Sequence, residues 1–97
     1  MKKIAFTLLL AGFTHLSADG QTLFNKCVQC HGQNAEKSAL GTSQVIAGWS
    51  KNKLINALNK YKLDKKYGGA MAIIMQEQVK NLDDNQIELL ANFISTK

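Results

Sequence analysis

Apolar residues recur every three or four positions in several stretches of the chain, and this spacing predicts amphipathic helices. The first stretch covers residues 19–30, and Asp19 is its candidate N-cap. The second covers residues 50–62, and Ser50 is its candidate N-cap. The two apolar stripes are Leu23, Phe24, Cys27 and Val28 in the first helix, and Leu54, Ile55, Leu58 and Tyr61 in the second.

The third stretch, residues 83–94, has the clearest start signal. Asp83 followed by Gln86 resembles a capping box, and Leu82 and Ile87 stand where a hydrophobic staple would close it. The apolar stripe of this helix is Ile87, Leu90, Ala91 and Ile94. This stretch is therefore predicted to form a third amphipathic helix.

Two looser, glycine-containing regions separate these helices, and residues 71–79 add a short helix to the second of them. The chain has no proline, and no alternating apolar and polar run with hairpin turn residues appears in it. The predicted fold class is therefore all-α.

The N-terminus has the pattern of a secretory signal peptide. Two lysines precede an apolar run at residues 4–13, which is too short to cross a bilayer, and small residues follow. We predict a signal peptide over residues 1–18, cleaved after Ala18, and one domain over residues 19–97. No later stretch approaches the length of a membrane span, so the expected product is soluble, lies in the periplasm and has no stable membrane insertion.

Composition narrows the function classes. After cleavage, ten lysines face seven acidic residues, and the chain has no arginine. This mild basicity, without arginines to grip phosphates, argues against nucleic acid as a partner. A domain this small buries little apolar surface, and such domains commonly need a disulfide, a metal or a cofactor for stability.

The segment CVQCH holds both cysteines, Cys27 and Cys30, and the histidine His31. A zinc site would lack a fourth nitrogen or sulfur ligand, because His15 leaves with the signal peptide. A thioredoxin-like pair would follow a strand and begin a helix, whereas this pair ends one. A disulfide across two residues would close almost no loop. Covalent haem attachment fits best, since two thiols can add to the porphyrin vinyl groups while the adjacent histidine reaches the iron.

The second axial position of such a haem decides what the protein does. A protein ligand gives a closed electron carrier, whereas an open position binds gases or peroxide. Methionine is the soft donor left in the mature chain, which has Met71 and Met75.

Three segments follow one another along the mature chain: DGQTLFNKCVQCHG, a lysine-rich helix, and YGGAMAIIMQEQVKNLDDNQIELLANFI. Together they resemble the short bacterial class I cytochromes c over essentially the whole mature chain. The resemblance implies three to five helices wrapped around one covalently bound haem c. It implies His31 and Met75 as axial ligands, because a methionine follows the YGG turn by five residues in that family, and it leaves Met71 as a neighbour.

Further residues take expected roles from the same resemblance. Gly20 and Phe24 match the crossing of the first helix with the last, and Phe93 matches the aromatic partner. Val45 stands in place of a proline whose carbonyl accepts the proton of the ligand histidine. The Trp49 indole would donate a hydrogen bond to a haem propionate, or the ring would cover the haem edge.

Tyr67 would contact a haem propionate or the methionine sulfur, or would only pack against its neighbours.

The expected function is a soluble monohaem shuttle, not an enzyme. It would pass single electrons between a periplasmic donor and an acceptor such as a terminal oxidase or peroxidase. A monomer with a positive reduction potential is expected. The alternative is a ligand-binding or sensor haem protein with a displaceable methionine. A dihaem peroxidase would need a second CxxCH, which the chain lacks.

Six lysines cluster in sixteen residues, and they form either a docking patch for an acidic partner or a solvated face. They are Lys51, Lys53, Lys60, Lys62, Lys65 and Lys66.

Overall fold

The structure, a computed structural model, describes residues 19–41 and 43–97. Over these residues the chain forms helices without any strand, which confirms the predicted all-α class. The elements are α1 (Gly20–Phe24), a 3-10 turn (Asn25–Cys27), α2 (Val28–His31), a second 3-10 turn (Ala39–Gly41), α3 (Lys51–Leu63), α4 (Ala72–Val79) and α5 (Asp84–Ile94). The predicted signal peptide lies outside the described residues.

The first predicted helix is divided in the structure. Asp19 caps α1 as expected, because its carboxylate accepts a hydrogen bond from the Thr22 amide at 2.8 Å. The 3-10 turn then changes the helical pitch before α2, which ends at His31 rather than at the predicted Cys30. The spacing of apolar residues along the chain does not distinguish one long helix from two short helices joined by such a turn.

The start signals of the longer helices are confirmed. The Ser50 hydroxyl accepts from the Lys53 amide at 3.2 Å and begins α3. At α5, the Asp83 carboxylate accepts from the Gln86 amide and the Gln86 side chain accepts from the Asp83 amide, so the capping box is complete. The short helix predicted near residues 71–79 is α4.

One apolar core joins the helices. Its buried members are Phe24, Ala35, Leu54, Leu58, Val79, Leu82, Ile87, Leu90, Ala91 and Ile94. The stripe predicted for α5 is therefore buried in full, and of the stripe predicted for α3, Leu54 and Leu58 are fully buried. α1 and α3 both pack against α5, and α4 packs against α3.

The crossing of α1 and α5 depends on Gly20. A Cβ at this position would lie 2.6 Å from Phe93 Cβ and closer still to the Leu89 carbonyl oxygen. The close approach lets Phe24 reach Phe93, with ring centroids 5.6 Å apart. The first helix thus packs on the last as the resemblance implied. Among the described residues, no helix has both the length and the apolar character that a membrane span requires.

Candidate functional site

A cavity of about 700 Å³ opens between the helices. Its apolar floor is shared with the core, because Phe24, Leu54, Leu58, Leu90 and Ile94 line it. The CVQCH segment forms one part of the lining and residues 67–78 form another. A cavity of this size and character is of the kind that holds a cofactor-sized ligand, for which volumes of about 300–1,000 Å³ are usual.

Cys27, Cys30 and His31 all line this cavity. The two cysteines are half-buried free thiols and form no disulfide. Burial raises the pKa of the Cys27 thiol above its ordinary value, with the Lys26 charge acting in the opposite direction. Cys27 is therefore a neutral thiol at neutral pH.

His31 is the only buried polar or charged side chain among the described residues, with 8% of its surface exposed. Burial lowers its pKa, so the ring is neutral at neutral pH, which is the form that binds a metal. Its Nδ1 is buried and has no hydrogen-bond partner among the residues that the structure describes. A buried imidazole that the protein leaves incompletely satisfied is a ready ligand.

The loop after α2 holds His31 in place. The Lys37 amide donates to the His31 carbonyl at 2.8 Å, and the Ala47 amide donates to the Ala35 carbonyl at 3.0 Å. Val45, in the same loop, is 44% exposed and is not part of the cavity lining. The structure gives no hydrogen bond between Val45 and His31, so the acceptor role of this carbonyl stays a prediction.

Both methionines of the described chain line the cavity from α4 and the turn before it. Met75 lies within α4, is half-buried and packs against the apolar core. Met71 immediately precedes the helix and is 49% exposed. Of the two thioethers, the one at Met75 is therefore better shielded from water.

Trp49 lines the cavity and is half-buried. The Lys53 ammonium lies 3.9 Å from the centroid of its ring, a cation–π contact. A smaller hollow adjoins this side of the cavity and is lined by Gln44, Trp49, Lys53, Asn56, Ala57, Lys60 and Tyr67. The cavity thus has a cationic margin beside Trp49.

Tyr67 also lines the cavity, and its ring meets that of Tyr61 edge to face at 4.8 Å. Burial, with a smaller contribution from neighbouring Tyr67, raises the pKa of the Tyr61 hydroxyl. Gly68 follows with a φ of +89°, and a Cβ there would lie 3.0 Å from the Tyr61 ring. The tyrosine pair and the turn before α4 are therefore packed as one unit.

Lys26, Leu40 and Gln78 are among the lining residues to which the sequence assigns no functional role. Leu40 is exposed and sits at a φ of +55°, which no spacing rule predicts. Lys26 and Gln78 are polar residues far apart in the chain, and nothing in their local sequence indicates that they face one cavity.

These observations fit a covalently bound haem. The two free thiols and the buried histidine lie on one short segment, and a thioether lies on another part of the same apolar cavity. Within residues 19–41 and 43–97, no group of three or more histidine, cysteine, aspartate or glutamate side chains is arranged to hold a bare metal ion.

Comparison with known proteins agrees with this site. The family model described as cytochrome c matches residues 17–97. Cytochrome c-553 of Helicobacter pylori strain 26695 is 34% identical over 98 residues, covering 99% of this chain and 98% of its own. Cytochrome c-553 of Nitratidesulfovibrio vulgaris strain Miyazaki F is 32% identical over 80 residues, covering 82% and 78%. Cytochrome c-553 of Desulfomicrobium norvegicum is 36% identical over 70 residues, covering 72% and 84%.

Proposed function

The chain belongs to the cytochrome c family, whose members carry electrons on covalently bound haem c, and from this premise we propose that it is an exported, periplasmic single-electron shuttle whose iron is held by His31 and Met75. The observation that carries the proposal is the shared cavity, which brings CVQCH and Met75 to one apolar space. Cys27 and Cys30 are the proposed thioether positions.

When held by Cys27, Cys30, His31 and Met75, a haem would supply one-electron chemistry. The protein's residues set how readily this happens. His31 provides a neutral imidazole and Met75 a soft thioether, which favours the ferrous state over what a second histidine would give. The apolar lining disfavours the extra positive charge of the ferric state, so a positive reduction potential is expected.

The lysines divide into different environments, so the six-lysine cluster is not one uniform surface. The Lys62 ammonium donates to the Leu82 carbonyl and is half-buried, and Lys51 pairs with Glu88 at 3.3 Å. Lys53 and Lys60 instead border the hollow beside Trp49. We place the docking of an acidic redox partner, a donor or an acceptor such as an oxidase or peroxidase, at this cationic margin rather than at Lys62.

The test is the secreted holoprotein itself. Its mass should exceed that of the mature polypeptide by one haem, and its ferric spectrum should show the weak band that reports methionine coordination. Met75→Ala should abolish this band, because the sulfur ligand is lost, whereas Met71→Ala should keep it. Secretion of bare polypeptide, or loss of the band only in Met71→Ala, would refute the assignment.

The sensor alternative predicts a different response to carbon monoxide. A carrier with Met75 bound resists the gas in its reduced form, whereas an open or readily vacated position binds it rapidly and tightly. Slow, weak binding that becomes fast in Met75→Ala supports the carrier.

A further inference from the structure

The proposed histidine and methionine ligands belong to parts of the fold that pack on different helices. α1, which leads into the CVQCH segment, packs against α5. α4, which carries Met75, packs against α3. Neither of these helix contacts joins CVQCH to α4 directly. A contact across the cavity is therefore needed to fix the distance between them.

Lys26 makes such a contact. Its ammonium donates to the Gln78 carbonyl at 2.7 Å, although 52 positions separate the two residues in the chain. Lys26 directly precedes Cys27, and Gln78 lies in the last turn of α4. Both residues line the cavity, so the bond lies at its margin and joins its two sides.

The chemistry of a helix end favours this bond. The last carbonyls of a helix have no partner within the helix, and a cation near them is favoured by the helix dipole. In α4, the Gln76 carbonyl accepts from the Lys80 amide and the Val79 carbonyl accepts from the Leu82 amide. The Gln78 carbonyl receives its donor from across the cavity instead.

We propose that Lys26 is a positioning residue that holds the methionine-bearing helix at a fixed spacing from the histidine-bearing segment and so keeps Met75 on the iron. The proposal rests on the proposed function, because it presumes that Met75 is the ligand. Without the bond, α4 keeps its packing on α3 but moves more freely relative to CVQCH, and Met75 competes less well with an added ligand.

The experiment is an imidazole titration of the ferric holoprotein, following loss of the methionine band. Lys26→Ala should bind imidazole about fivefold more tightly, the scale of one net hydrogen bond. Lys26→Arg, which restores a cationic donor, should return the affinity to within about twofold of the unmodified protein.

Two variants separate this effect from simpler ones. Lys80→Ala removes a positive charge at the same end of α4 without touching the cross-cavity bond, and Asp83→Ala weakens the fold through the cap of α5. Neither should change the imidazole affinity. An equal increase in Lys80→Ala or Asp83→Ala, or no increase in Lys26→Ala, would overturn the proposal. A missing methionine band in the unmodified protein would instead refute the assignment of Met75, and this inference with it.

Discussion

Gly20 shows how one missing side chain sets the geometry of the fold. A Cβ at this position would overlap the Leu89 carbonyl oxygen and Phe93 Cβ. We expect Gly20→Ala to reduce the free energy of unfolding by about 1–3 kcal/mol, the usual cost of overpacking, even though alanine favours the helix itself. Urea denaturation of the holoprotein measures the loss. The control is Gln21→Ala at the exposed neighbouring position of α1, where an equal loss would contradict the packing explanation.

Residues whose chemistry is local were open to prediction from sequence, and residues whose role depends on distant partners were not. Cys27, Cys30 and His31 lie within five consecutive residues, so the chain itself keeps them close together. Lys26 reaches Gln78 only because the fold returns α4 to the same cavity. The exposed position of Val45 likewise depends on the path of a loop for which spacing gives no rule.

At the scale of elements, the turn before α4 makes unequal demands on its two glycines. Gly68 has a φ of +89° and faces Tyr61 and Ala72, whereas Gly69 has open space where a Cβ would stand. Gly68→Ala should therefore lower the free energy of unfolding by about 1–3 kcal/mol, the scale of a strained backbone position. Thermal unfolding should show a smaller loss for Gly69→Ala, because Gly69 lacks the positive φ of Gly68. Equal losses in the two variants would contradict this.

Helix starts were predicted better than helix interiors. Asp19, Ser50 and Asp83 act as caps because a side chain that accepts from an amide three residues later needs only local geometry. The 3-10 turn at Asn25–Cys27 carries no comparable signal, since apolar spacing near three to four residues suits both helix types. Tyr61 lies on the apolar face that the spacing predicts, and its place in the cavity lining follows from that face.

For the whole molecule, the cationic margin should govern the approach of charged electron acceptors. The double variant Lys53→Glu with Lys60→Glu should slow oxidation of the ferrous protein by anionic ferricyanide severalfold at low ionic strength, because reversed charge repels the reagent. The effect should disappear near 1 M salt, where the screening length is about 3 Å. Stopped-flow absorbance measures the rates.

Lys80→Glu is the matched control for this margin, because Lys80 is exposed and lies outside both cavity linings. It should change the rate much less per charge than the double variant. A uniform response to charge reversal at all three lysines would mean that net charge, and not the margin beside Trp49, steers the reaction.

The contact between α1 and α5 also imposes an order of events on biosynthesis. Almost the whole described chain lies between these two helices, so their pairing is a long-range contact that must close a long loop. Until residues 84–94 pair with α1, the chain lacks the contact that closes this part of the fold, and Cys27 and Cys30 remain accessible. The topology therefore favours maturation in which the porphyrin is joined first and the globule closes around it afterwards.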